Sequence, residues 1–321
     1  MDKNFSHGDI WSTEEEDALI QAKKSGMTLP EIFKKKIVNR SLESIKHKWK
    51  RVQAWGGRIA TDKIKSKFEK EKNSNKTPEI KYKKSGTETV VIAGDFHIPQ
   101  HNEVAVDALI KYLKKVQPDI FVINGDFLDA YQVSKFDKEI DRIGELQEDI
   151  DMAVGILRKI RKVIPNADIF YISGNHEERI KKFLLRSAAQ LSPLRALKIE
   201  SLLELDKLRI IYKEFLYYRN TIFIKHGDIA RATSGATVQG ELTKMNVSGV
   251  SSHIHSAAQI YRKNGLESEK MWMSTGCLCE LDGLGYCDYP SWSHGIAEII
   301  WDIDSKTYVA RLKPIIKGEV K

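Results

Sequence analysis

The sequence predicts an α/β domain preceded by a small three-helix all-α domain, and three observations predict it. After residue 87 the runs ETVVIAGDFH, DIFVINGDFLD and ADIFYISGNHE are each β-rich and apolar, and each ends in Gly and polar residues. Between them lie the helical patterns EVAVDALIKYLKKV and DRIGELQEDIDMAVGILRKIRKVI. That alternation argues βαβ units with buried strands. The first quarter of the chain reads instead as three short helices with a strong excess of positive charge.

The helices are justified in order by their end signals. Ser12 followed by Glu15 has the spacing of a capping box, and acidic residues 14–17 suit the positive end of a helix dipole. Ala18, Leu19 and Ala22 continue an apolar face until Gly26 stops it. Thr28, Pro30 and Glu31 repeat the start signal. A third helix starting near Ser41 carries Leu42, Ile45, Trp49 and Val52 on one stripe, with Arg40, Lys46, His47, Lys48, Lys50 and Arg51 off it. Residues 56–86 are rich in Lys, Ser, Asn and Thr and read as a basic linker, helical in part over TDKIKSKFEKEK.

Charge divides the chain as texture does. Residues 1–86 hold 21 Lys and Arg against 12 Asp and Glu, a net of +9, while the rest carries a net of −1. A polyanion is the expected partner of such a segment. The apolar content of 41% is ordinary for a globular protein, and no apolar run approaches the roughly 20 residues a membrane helix needs, so no membrane partner is expected. Three cysteines, Cys277, Cys279 and Cys287, make no disulfide framework, and the N-terminus lacks the apolar core of a secretory signal. Both point to a reducing cytoplasm.

Five polar clusters follow the apolar runs: Asp95-Phe96-His97, Gly125-Asp126 with Asp129, Gly174-Asn175-His176-Glu177, His226-Gly227-Asp228 and His253-Ile254-His255. Five of the nine histidines fall in them. Taken singly, each reads as well as a strand-end turn or a buried histidine. Taken in order, each beyond a strand end, they gather where functional groups of open α/β sheets collect. Aspartates, an amide and imidazoles make a mixed N/O ligand set that suits Mn²⁺, Fe or Zn²⁺. Two such ions need one carboxylate able to bridge them.

Residues 9–55, with WSTEEEDALI, a glycine before the second helix and NRSLESIKHKWKRV, resemble the Myb/SANT-like class of helix-turn-helix domains. In that class the third helix enters the major groove, which implies DNA contacts from Arg40, Lys46, Lys48, Lys50 and Arg51. A basic bundle serving a protein partner is the alternative. The five clusters in turn resemble the calcineurin-like metallophosphoesterase superfamily, whose pattern is D-x-H, G-D-x-x-D, G-N-H-[DE], a later His and H-x-H, over about residues 88–312. The resemblance implies a four-layer α/β/β/α sandwich over residues 87–315 and two divalent metal ions, Mn foremost, with Fe, Zn, Ni or Mg as alternatives. It further implies Asp95, His97, Asp126 and His255 on the first ion, and Asp126, Asn175, His226 and His253 on the second. His176 then faces the leaving group as a catalytic residue, oriented by Asp129.

Several residues depart from that pattern or stand beside it. Ser252 takes the place of a common Gly before H-x-H, and Ala130 follows Asp129 where the serine/threonine phosphatase branch has Arg. Asp228 reads equally as a support to the ligands or a turn residue, Arg179 as a surface salt bridge ahead of a phosphate contact, and Glu177 as a helix cap. Cys277, Cys279, Cys287 and His294 fit no common zinc spacing, and small apolar filling is the expectation. After His255, the runs AAQIYRK, EKMWMSTG, GIAEIIWDID and TYVARLKPII are expected to complete a second sheet packed on the first. The leading substrate expectation is DNA, cleaved by a nuclease akin to the DNA-repair exonuclease branch and targeted by the basic helices. Such a compact enzyme suits a bacterial or phage-infected cell, at the nucleoid. A phosphatase or phosphodiesterase for nucleotides or phosphoproteins, and a DNA-binding regulator with an inactive enzyme domain, are the alternatives.

Overall fold

The computed structural model describes residues 13–55, 82–135, 137–138, 144–263, 268–282 and 291–321. Ser12, Cys287 and most of the expected linker lie outside them, and for Arg51 and Val52 only the backbone is described. Contacts divide the chain into two compact units, the larger spanning Lys67–Leu242 and Val247–Lys321.

The small unit contains α1 (Thr13–Lys24), α2 (Leu29–Lys34) and α3 (Leu42–Trp55). Gly26 ends the first helix with φ 88°, and Thr28 with Glu31 forms a reciprocal capping box at the second. Leu19, Ile32, Val38 and Ile45 are buried together, with Trp49 packed against them. Arg40 departs from the expected basic face. Its guanidinium makes a two-pronged contact with Glu15, Nε to Oε1 at 2.8 Å and Nη2 to Oε2 at 2.7 Å, and is largely buried. Glu15 therefore clamps α1 to the approach of α3, and Arg40 is a structural cation. Lys46 is exposed beside Glu43 at 3.2 Å, Lys50 is exposed and Lys48 half-buried.

In the large unit seven strands pair in the order β12 (Glu319–Val320), β11 (Thr307–Ile316), β10 (Gly295–Asp302), β1 (Thr87–Ala93), β2 (Ile120–Asn124), β3 (Asp168–Ile172), β4 (Ile210–Lys213). β1 to β4 run parallel. A second sheet has the order β5 (Leu216–Tyr218), β6 (Ile222–Ile224), β7 (Ser248–Ser251), β9 (Lys270–Thr275), β8 (Ala257–Arg262). Alternation along each strand builds two cores. Val91, Ala93, Phe121, Ile123, Ile169 and Tyr171 pack under α4 (Glu103–Val116) and α5 (Leu146–Val163). Val90, Ile92, Val122 and Phe170 point the other way, onto Ile222, Ile224, Val250 and Met273 of the second sheet. Two sheets and flanking helices give the sandwich expected of the large domain.

One strand assignment is corrected. AAQIYRK and EKMWMSTG do join the second sheet, but GIAEIIWDID and TYVARLKPII return to the first, with Val90 opposite Ile299 on antiparallel neighbours. The reason is the open edge of β1, whose outward N–H and C=O groups would otherwise be buried without partners. Ala297, Ile299 and Trp301 then extend the inter-sheet core. No described helix is long and apolar enough to cross a membrane.

Trp272 on β9 of the second sheet is fully buried, its Nε1–H donating to Ser251 at 3.0 Å. Gly249 makes room for it, since a Cβ there would sit 2.4 Å from the indole. Trp272→Ala is expected to cost about 3–5 kcal/mol of stability, read by chemical denaturation; a loss below about 1 kcal/mol would contradict this placement.

Candidate metal centre

Every cluster singled out in the sequence lies just past the carboxyl end of a strand. Asp95 and His97 follow β1, Asp126 follows β2, Asn175 and His176 follow β3, His226 follows β6, and His253 and His255 follow β7. All are close-packed. Asp95, His97, Asp126 and His255 are at most 5% exposed. Asp95, His97 and His255 offer ligand atoms within 4.8 Å of one another, and so do Asp126, His226 and His253. Asn175 Oδ1 lies 3.2 Å from His226 Nε2, which lies 3.0 Å from Asp126 Oδ2. His97 Nε2 and His255 Nε2 are 2.9 Å apart.

The backbone is bent to bring these atoms together. Asp95, His97, Asp126, His253 and His255 all have positive φ, between 48° and 74°. This left-handed region costs a non-glycine residue roughly 1–2 kcal/mol, and such strain persists only where surroundings over-determine it. Those surroundings are on view. Asp95 N–H donates to Gly125 O at 3.1 Å, His97 N–H to Asp126 O at 2.9 Å, and His253 N–H to the Asp95 carboxylate at 2.8 Å. Ser252 bonds Asn124 Nδ2 and Thr275 Oγ1, each at 2.9 Å, so its hydroxyl ties β2, β7 and β9 together immediately before His253.

Glu177 corrects the expectation of a simple helix cap. It is buried, and its carboxylate accepts from the N–H groups of Asp126 (3.1 Å), Phe127 (2.8 Å), Leu128 (3.2 Å) and Gly174 (2.8 Å), and from the Tyr171 hydroxyl (2.6 Å). It is the brace between the loop after β2 and the loop after β3. Gly174 is the only residue type that fits beneath it. A Cβ there would meet Asp126 Oδ1 at 2.1 Å and Glu177 Oε2 at 2.7 Å. His176 N–H then reaches Asp126 Oδ1 at 2.9 Å.

Arg179 is the second correction. It is no surface salt bridge: its side chain is 12% exposed, and Nη1 donates to Asp129 Oδ1 at 2.8 Å and to Asp129 O at 2.9 Å. Its Nη2 lies 2.9 Å from His176 Nε2, while His176 Nδ1 lies 2.6 Å from Asp129 Oδ1. Guanidinium nitrogens only donate, so Nε2 accepts here and Nδ1–H donates to the Asp129 carboxylate. Asp228 makes its ion pair outside this group of three. It pairs with Lys225 at 2.6 Å, and Lys225 also holds buried Glu241 at 2.9 Å. Cys277 and Cys279 are buried, Cys279 Sγ 3.7 Å from His255 Nδ1, while the His294 ring bonds Cys279 O instead of joining a thiolate group.

Electrostatics divides the ligands. Burial would raise Asp126, but the imidazoles of His226, His176 and His97 outweigh it and hold this carboxylate well below the usual range. Burial opposes a charge on His226 too, yet Asp126 above all raises it to about 10. Burial, with His226 beside it, lowers His253 to about 4; burial and His97 push His255 well down. Those two rings are neutral at pH 7, as a metal ligand must be. Asp95 shifts upward because burial strips its charge of water, and its Oδ1 is buried without a hydrogen-bond partner. An orphaned carboxylate oxygen amid opposing imidazole nitrogens is a site short of positive charge, and the donor set fits divalent ions of intermediate softness.

Residues 88–267 match the family profile described as calcineurin-like phosphoesterase. Among solved structures, a Vps29 mutant (D62A) from Entamoeba histolytica is 13% identical, with 73% of this chain and 96% of that chain covered and a TM-score of 0.38. Vps29 from Cryptosporidium parvum is 14% identical over 74% and 96%, with a TM-score of 0.41. A dimetal phosphatase from Danio rerio is 11% identical over 74% and 98%, also at 0.41. No curated protein matches the sequence.

Two outcomes follow from this geometry. Glu177→Gln places an amide N–H₂ against backbone donors and is expected to cost about 3 kcal/mol or more, together with weakened divalent-metal binding; calorimetry with Mn²⁺ and denaturation check both, and wild-type values in either would refute the brace. Metal binding near pH 7 is expected to release at least one proton, because His226 carries a proton below about 10 and must lose it to coordinate. Affinity should therefore rise with pH between 6 and 8. Titrations in buffers of different ionisation enthalpy read the proton count, and a count of zero would show that the His226–Asp126 pair holds no shared proton.

Proposed function

The chain belongs to the calcineurin-like phosphoesterase family, and from that premise we propose a metal-dependent phosphodiesterase that cleaves DNA, brought there by its N-terminal helices. Family membership makes the chain a metal-dependent phosphoester hydrolase. The finer reading rests on one observation: the net charge of +9 sits in residues 1–86, apart from a near-neutral remainder. A protein whose substrate were a small ester would have little use for a separate polyanion-binding segment. The exposed amines of Lys46 and Lys50 on α3 are the contacts this reading employs, with Lys48 between them.

Asp95, His97, Asp126 and His255 would hold one ion, and Asn175, His226 and His253 would join Asp126 on the other. When bound, such ions supply Lewis acidity toward phosphoryl oxygens and lower the pKa of water. The chain's own residues do the rest. Asp129 takes the Nδ1–H of His176, so the ring presents Nε2 to a leaving oxygen. Arg179 stands at that same nitrogen and offers an N–H donor and a full positive charge to a phosphoryl oxygen. Once the ring is charged, its Nε2 proton can pass to the departing oxygen. The neutral amide of Asn175 adds a ligand without adding an anion that would repel the substrate.

Purified protein with Mn²⁺ should cleave single-stranded or duplex DNA, and hydrolyse bis(p-nitrophenyl) phosphate more slowly. Turnover of that generic ester with no cleavage of any polynucleotide would sink the nuclease reading. His176→Ala should lower kcat on DNA by about 10²–10⁴. The double variant Lys46→Glu, Lys50→Glu should weaken duplex binding and flatten its dependence on log salt by about 2, measured by fluorescence anisotropy; an unchanged slope would remove α3 from the DNA interface.

A further inference from the structure

The chain that leaves β9 at Thr275 is stitched to two of the segments that carry metal ligands. Leu278 N–H donates to Asp95 O and Glu280 N–H to Gln100 O, each at 2.9 Å, which bonds residues 278–280 to the loop after β1. Cys277 N–H donates to Ser293 O at 3.0 Å, and the His294 ring bonds Cys279 O at 2.9 Å. Ser293 N–H in turn donates to His255 O at 2.9 Å. The backbone thereby fixes Cys277 and Cys279, both fully buried, against the loop that holds His255.

The two ring nitrogens of His255 meet different neighbours. Nε2 lies among the ligands, 2.9 Å from His97 Nε2 and 3.7 Å from Asp95 Oδ1. Nδ1 lies 3.7 Å from Cys279 Sγ, its hydrogen-bond partner among the described residues. A neutral imidazole has one N–H and one lone pair. With the Nε2 lone pair given to an ion, the hydrogen sits on Nδ1, and Cys279 has to accept it. The thiols allow this. Cys277 donates to Ser293 O at 3.8 Å, because a carbonyl only accepts. The Cys277 sulfur is then open to the Cys279 S–H, and both sulfurs lie within 4.8 Å of each other and of a His255 nitrogen. All three hydrogens point the same way, from His255 through Cys279 and Cys277 to Ser293 O. His226, assigned to the other ion, has a backbone carbonyl in the same role: its Nδ1 lies 2.9 Å from Asn124 O. A carbonyl or carboxylate is the usual support of a ligating imidazole. At His255 a thiol sulfur stands in that place.

We propose that Cys279 is a positioning residue for His255: its sulfur accepts the Nδ1 hydrogen and so holds the tautomer whose Nε2 is free for an ion shared with Asp95 and His97. This rests on the assignment of His255 as a ligand of the phosphoesterase centre and deepens it. It also gives Cys279 a role beyond the small apolar filling expected of it.

Two measurements on the full chain test this. In the Zn²⁺-loaded protein, the long-range ¹H–¹⁵N spectrum of the imidazoles should place the His255 hydrogen on Nδ1. A hydrogen on Nε2 with two ions bound would overturn the inference. Mn²⁺ binding, followed by calorimetry and by electron paramagnetic resonance, should show Cys279→Ala holding one ion about 10–100-fold more weakly and the other as wild type does. Cys279→Ser keeps an acceptor and should recover most of that loss. Cys277→Ala removes an equally buried thiol that makes no hydrogen bond to His255, and it should bind both ions like wild type. Equal loss in Cys277→Ala, or equal weakening of both ions in Cys279→Ala, would reduce the effect to packing and overturn the inference. So would a thiolate-to-metal absorption band in the Co²⁺ form, which would make Cys279 a ligand. A wild-type chain that binds no divalent ion would overturn the parent assignment instead.

Discussion

The arrangement of the site depends on a single buried carboxylate, that of Glu177. β2 and β3 are parallel neighbours in register to Asn124 and Ile172. Beyond those residues the loops turn inward, and their N–H groups lose strand partners while still shielded from water. Such groups cost free energy unless something accepts from them. Glu177 accepts from four of them and from the Tyr171 hydroxyl. Hydrogen bonds to an ionised acceptor are the strong kind, and these five act on one rigid group at the start of α6 (Glu177–Ser187). The consequence reaches both loops together. Asp126 is fixed by its own N–H, its carboxylate takes the N–H of His176, and the helix that carries Glu177 also carries Arg179.

Strain and charge are then two sides of the same construction. Five of the seven residues assigned to the metals hold left-handed backbone angles that glycine would tolerate better. None of the five could be glycine and still supply a ligand atom. The cost is offset by hydrogen bonds between strand ends, of which Ser252 to Asn124 and Thr275 is one set. Charge is handled by placing neutral His253 and His255 beside anionic Asp126 and a charged His226. The rings that burial keeps neutral are ready to coordinate, while the His226 proton stands in for positive charge that a cation would bring.

Much of this was legible in the sequence, and the illegible part has a common cause. Apolar runs of β-branched residues ending in Gly predict strands, and the polar residues after each Gly predict where the site gathers. The capping box at Thr28 is local chemistry and is present as expected. Contacts that join residues distant along the chain were not legible. Arg40 meets Glu15 across 25 positions, which no charge count reveals. Arg179 meets Asp129 across 50 positions, so a helix-face arginine read as a surface charge. Glu177 was legible as a residue but not as a brace, because its partners are backbone groups and carry no side-chain signature. The two final strands had the right pattern for sheet but gave no sign of which sheet, since both offered an apolar face and an open edge.

Arg179 resolves the absence of arginine after Asp129, where Ala130 stands. The backbone at Ala130 is left-handed, with φ 50°, and its residue is fully buried. A long charged side chain starting there would have to leave a closed space through a strained backbone. The same charge arrives from the other direction, one turn along the helix that begins after His176, and binds both the carbonyl and the carboxylate of Asp129. Asp129 thereby holds an imidazole and a guanidinium at once, at 2.6 and 2.8 Å. The three groups form one hydrogen-bonded unit in which the Asp129 anion and the Arg179 cation balance, so neither charge is buried without a partner. That balance fixes the orientation of the His176 ring, and it comes from a residue three positions after His176 whose place in the chain alone would have left it on the surface.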